Sequence, residues 1–118
     1  MTIKFNELIK IRDILSRISN NKFSIKVSYE IAKFIRDTDG DAEFYAKKLN
    51  EIISLYKDPN LSDDKIQIMS DKIDECNKSL SELENCTVDV PKLHLDVEII
   101  PDTEITPSDM YWLIPVLA

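Results

Sequence analysis

Apolar residues recur along this chain at steps of three and four in three successive segments. Leu8, Ile11, Leu15 and Ile18 make the first stripe. Val27, Ile31, Phe34, Thr38, Ala42, Tyr45, Leu49, Ile52 and Tyr56 make the second, and Ile66, Met69, Ile73, Cys76, Leu80 and Leu83 the third. Residues so spaced share one helix face, so each segment is expected to form an amphipathic helix, the last two with a coiled-coil-like seam. Asn6 is the expected cap of the first helix, which runs to about Ile18 before Asn20-Asn21 stops it. Ser24 or a neighbour opens the second, which continues to about Tyr56 with Lys26/Glu30 and Glu43/Lys47 as i,i+4 pairs on its outer face. Pro59 breaks the chain, and Ser62, followed by Asp63 and Asp64, is placed to cap a third helix over residues 62–83. A short connection joins the two long segments, so they must run antiparallel. The second helix would be roughly 45 Å long. The third covers only part of it, which leaves room for the first to fold against the rest.

From Thr87 onward the period changes from helical to alternating. Val88 and Val90 alternate with Thr87 and Asp89; Pro91 shifts the phase; Leu93, Leu95, Val97 and Ile99 alternate with Lys92, His94, Asp96 and Glu98. The pattern predicts a half-buried strand over residues 87–99, bent at the proline. A strand needs a partner, and three are open: its own two arms folded into a hairpin, residues 1–5, or another chain. Leu93, Leu95, Val97 and Ile99 are therefore the expected edge for self-association or strand addition. Thr106, Pro107 and Asp109 signal a short last helix from Pro107 to about Ile114, ending before Pro115. The expected fold class is α+β, mainly α: an antiparallel, coiled-coil-like helical hairpin with an N-terminal helix, a C-terminal β-strand or hairpin and a short last helix. One domain over residues 1–118 is expected, with a first helical region at 1–20, the hairpin at 24–84, and strand plus terminal helix at 87–118.

Charge refines this picture. The net charge is −7, but residues 1–36 carry eight basic and three acidic side chains (+5), and the remainder carries seven and nineteen (−12). The basic residues are interspersed with core apolars rather than gathered in a run, so the first part is expected to complement the acidic hairpin, and nucleic acid is not an expected partner. No apolar run approaches the roughly 20 residues that span a bilayer. Lys4, Glu7 and Lys10 interrupt any signal-peptide core. No membrane association and a cytoplasmic location are the expectation. Cys76 and Cys86 are expected to be reduced thiols.

The chemistry-bearing residues are sparse. Asp37, Asp39 and Asp41 alternate as in the first half of a calcium loop, but the sharp-turn glycine position holds Ala42 and the bidentate glutamate position holds Lys48. The segment also keeps the phase of the second stripe and so is expected to be the solvated face of one continuous helix, with Gly40 a weak point of about 1 kcal/mol. His94 is the only histidine. It cannot build a multi-histidine metal site, and nothing near Cys86 orients it as a catalytic base. Gly40 is the only glycine, which leaves no phosphate-cradling loop, dinucleotide fingerprint or nucleophile elbow. No metal, no cofactor and no enzymatic activity are expected. The apolar cluster from Met110 to Leu117 holds Tyr111 and the single Trp112. It is expected to plug the open end of the bundle, with Tyr111 and Trp112 as the alternative aromatic anchor for a partner.

Three stretches resemble small proteins of tailed bacteriophages and prophages that carry the description phage protein of unknown function. They are Lys26-Val27-Ser28-Tyr29-Glu30-Ile31-Ala32-Lys33-Phe34-Ile35-Arg36, then Val88-Asp89-Val90 with Leu93 and Leu95, then Ile105-Thr106-Pro107-Ser108-Asp109-Met110 with Leu113 and Pro115. The resemblance implies a phage origin and expression in a bacterial host cytoplasm, and supplies no catalytic residues. With the acidic surface, it leads to an expected non-catalytic accessory protein that binds and modulates a host or phage protein, such as a nuclease, polymerase or defence complex. Alternatives are a virion or tail-assembly component and a nucleic-acid-binding module using the basic N-terminal part. A homodimer is a further expected state.

Overall fold

The computed structural model describes residues 1–57, 68–95 and 105–117. Its elements run β1 (Thr2–Lys4), α1 (Phe5–Ile18), α2 (Ile25–Tyr56), α3 (Ile73–Asn85), β2 (Thr87–Asp89) and α4 (Pro107–Leu113), followed by a 3-10 turn at Ile114–Val116. This is the mainly helical α+β fold that the periodicity predicts, and the ends of α1, α2 and α4 fall within a residue or two of expectation. Ser24 caps α2 by accepting the Val27 N–H at 3.3 Å. Its 32 residues extend over roughly 48 Å.

The helix α2 is shared between two neighbours that both run antiparallel to it. From its first half to just past its middle lies α1: the Phe5 ring packs 6.0 Å from that of Phe44 and 5.8 Å from that of Tyr45, while Arg12 reaches Ile35, Thr38 and Asp39 roughly one and a half to three turns earlier. Along its second half lies α3, which returns after an antiparallel bridge between Lys57 and Ile68 and a Met69 N–H to Tyr56 carbonyl bond of 3.0 Å. The core gathers around α1. Leu8, Ile11, Leu15 and Ile18 are fully buried, each worth about 1.5–3 kcal/mol of transfer free energy, and they meet Ile3, Ile31, Phe34, Val90, Leu93, Leu113 and Val116.

Several local expectations change. The third helix begins at Ile73: Ile68 is in a bridge and residues 69–72 form a turn closed by a 2.8 Å bond from Lys72 N–H to the Met69 carbonyl, while the expected cap Ser62 and Ile66 lie outside the described residues. Asp74 and Glu75 in the first turn favour that start electrostatically. Ile73, at the first helical position, has no helical turn before it and is 45% exposed, so the α3 seam is carried by Cys76, Leu80 and Leu83. In α1 the cap is Lys4 rather than Asn6. Its ammonium has no acceptor to offer, so the only reciprocal bond is from the Lys4 N–H to Glu7 Oε1 at 3.4 Å, and Asn6 sits inside the first turn with a buried, unpaired Oδ1. The pairs Lys26/Glu30 and Glu43/Lys47 do not form; Lys48–Glu51 at 3.2 Å and Lys72–Glu75 at 3.6 Å do.

The strand is shorter than its alternation suggests. Thr2, Ile3 and Lys4 of β1 pair antiparallel with Asp89, Val88 and Thr87 of β2, so residues 1–5 are the partner. Val90 N–H donates to the Met1 carbonyl at 2.8 Å, and Pro91 then removes the next donor. Beyond it Leu93 joins a parallel bridge to Leu117, its N–H donating to the Val116 carbonyl at 2.7 Å.

Candidate interaction surfaces

The last helix is built as a plug with an aromatic outer face. Thr106 Oγ1 accepts the Asp109 N–H at 3.2 Å, and Asp109 Oδ2 returns the bond by accepting the Thr106 N–H at 2.9 Å. Arg17 at the end of α1 pairs with the same carboxylate. The Thr106 N–H and the guanidinium hold the Asp109 carboxyl below the usual aspartate range, against the opposing effect of partial burial. These contacts seat the start of α4 at the C-terminal end of α1, so the two helices run antiparallel. Leu113 and Val116 then point into the core with no exposure.

That orientation turns Tyr111 (71% exposed) and Ile114 (61%) outward. The Trp112 ring is partly covered and meets Tyr111 edge-to-face, with centroids 5.4 Å apart at 86°. Together with Pro115 they border a groove of about 470 Å³ whose other wall is Lys4, Asn6 and Glu7 at the start of α1. Of the residues singled out from sequence, Tyr111 and Trp112 are thus brought together at the surface. Leu93 is not: at 1% exposure it is a core residue, and its backbone already pairs with the C-terminal segment. Leu95 packs partly buried against the same core. Val97 and Ile99 lie outside the described residues. The proposed edge from Leu93 onward is therefore occupied internally where it is described.

A second surface escaped the sequence reading. On the side of α2 opposite its buried stripe, Ile25 (90% exposed) and Tyr29 (61%) continue through Ala32 to Arg36, with Lys26 and Lys33 alongside, all exposed. Next to this line a groove of about 380 Å³ opens between α2 and the end of α1, lined by Phe23, Ile31, Ala32 and Ile35 with Ser19, Ser28, Arg36 and Asp39 at its rim. The signal was available: Ile25 and Tyr29 are four apart and out of phase with the Val27-Ile31-Phe34 stripe, so one helix carries two apolar lines.

The remaining chemistry is dispersed. The segment from Asp37 to Glu43 is uninterrupted helix, with Asp39 held by Arg12 at 2.6 Å. Exposed His94 lies in a cleft of about 160 Å³ with Glu30, Lys33, Phe34, Asp37, Pro91 and Lys92, away from the exposed thiol of Cys86, which donates to the Glu82 carbonyl at 3.2 Å. Cys76 is buried and free. Among the described residues no three His, Cys, Asp or Glu side chains converge as metal ligands, and no helix is long and apolar enough to cross a membrane. No family model, no curated protein and no solved structure matches this chain.

Proposed function

We propose that this chain is a non-catalytic accessory protein of phage origin that acts by binding a protein of its bacterial host and modulating it. The supporting observation is the C-terminal aromatic face: Tyr111, Trp112 and Ile114 stand around an open groove on a helix that is capped, ion-paired and anchored through Leu113. A tyrosine and an isoleucine exposed by more than half on a rigid support present area at little entropic cost to a partner, as hot-spot residues do. Burial of the core is already complete without them.

The test is a photo-crosslinking amino acid at Tyr111 of the full chain, expressed in the host, followed by identification of the adduct and titration of the purified partner. Tyr111→Ala with Ile114→Ser should weaken binding by tens of fold, in line with about 2 kcal/mol or more for a hot spot, and leave the melting temperature within a few degrees. Retention of affinity by that double variant removes the aromatic face from the reading. A virion component would instead crosslink to structural proteins of the particle.

A further inference from the structure

We propose that the outer line of α2 and the groove beside it form a second docking site, which takes an acidic amphipathic helix of a partner protein. Two observations point to this occupant. The first is apolar exposure with no internal purpose: Ile25 and Tyr29 face solvent on the side of α2 that no described element covers, and Phe23, Ala32 and Ile35 extend the same surface into the groove. The second is charge. Lys26 and Arg36 flank the line, and the rim carboxylate of Asp39 is engaged by Arg12 at 2.6 Å. Glu30 and Asp37 lie, with Lys33, towards the His94 cleft on another side of the helix. An apolar strip beside cations that form no ion pair among the described residues is matched by a helix with leucines or similar residues along one face and glutamates or aspartates beside them.

A second copy of this chain is a poor fit. Its acidic helix α3 has Cys76 and Leu83 already buried within its own fold, so it has no comparable apolar face to lend. The site is also separate from the aromatic groove. That groove lies at the start of α1 and this one at its end, roughly 20 Å apart along 14 residues. Failure here would therefore leave the aromatic face standing, and the two sites together would let the protein bridge two partners or two parts of one.

The experiment titrates isotope-labelled full chain with an end-blocked synthetic helix carrying leucines at heptad a and d positions and glutamates elsewhere, and follows backbone amide shifts. Parallel titrations use the same peptide with lysine for every glutamate, phosphatidylserine-containing vesicles and a short DNA duplex. The acidic peptide should shift residues 19–39 and bind more weakly as salt rises. Tyr29→Glu and Arg36→Glu should each reduce its affinity by about tenfold or more. Both side chains are exposed, and Ile25→Asp serves as a third variant should either disturb the helix. Equal binding of the lysine peptide, shifts confined to α4, binding of vesicles or DNA with none of the acidic peptide, or no shift at all would each overturn the proposal.

Discussion

Arg12 joins α1 to α2 more closely than any other polar side chain. Its guanidinium donates to the Ile35 carbonyl at 2.6 Å, to Thr38 Oγ1 at 2.7 Å and to Asp39 Oδ1 at 2.6 Å. Thr38 is fully buried and spends its own proton on the Phe34 carbonyl at 2.8 Å, so the arginine supplies the donor that its remaining lone pair needs. Arg12→Ala should cost about 2–3 kcal/mol in urea unfolding, because it strands a buried hydroxyl as well as losing the charged bonds. Arg12→Lys should recover little, since an ammonium cannot span the three acceptors. Thr38 was legible as a seam position from its spacing. The partner was not: Arg12 is 26 residues away, and nothing local to either residue announces a contact set by how the two helices pack. Gly40 has the opposite character. It lies inside a continuous helix where an added Cβ would meet nothing within 4 Å, so Gly40→Ala should raise stability by about 0.5–1 kcal/mol, read as a higher melting temperature.

At the scale of elements, the sequence spoke clearly where caps and periods agreed and failed where the period ran past a hidden break. For α2, Ser24 and the stripe to Tyr56 give matching ends. For α3, the apolar steps continue backward through Met69, yet residues 69–72 turn; periodicity counts side chains and is blind to where the backbone stops being helical. A pair of substitutions separates the two readings: Ile73→Asp should leave circular dichroism and melting nearly unchanged, whereas Leu83→Asp should unfold the domain by burying an unpaired charge. The aromatic face was half legible, because composition named Tyr111 and Trp112 but only the fold shows Lys4, Asn6 and Glu7 opposite them. In α4, the carboxyl of Asp109 is depressed, so its stabilising effect is present above the unfolded value near 3.9 and is lost as pH falls through the lower folded value. Trp112 fluorescence should therefore report loosening of α4 in acid, below the range where an ordinary aspartate titrates. Asp109→Asn should flatten that pH response.

Across the whole molecule, burial is uneven. The fully covered side chains surround α1, while Leu49, Ile52 and Tyr56 in the second half of α2 are only half-buried, as are Ile68, Met69 and Leu80 opposite. The hairpin that dominates the hydrophobic pattern is thus the thinner part of the protein, because a stripe records which face is inward and says nothing of how much lies beyond it. Amide exchange should follow this division: α1 and residues 27–45 of α2 should open only with global unfolding, and residues 46–57 with α3 at lower free energy.

The clasp between β1 and β2, with Leu93, Leu113 and Val116 laid over α1, also has a consequence for synthesis in the cell. The helix α1 leaves the ribosome well before part of its cover, since Val90, Leu93, Leu113 and Val116 lie far behind it in the chain. Until those residues emerge, Leu8, Ile11, Leu15 and Ile18 have only α2 and α3 to shelter them, and the nascent chain carries a partly uncovered apolar face. Completion of this core is then gated by contacts of high sequence separation rather than by the local helices, which form within about a microsecond.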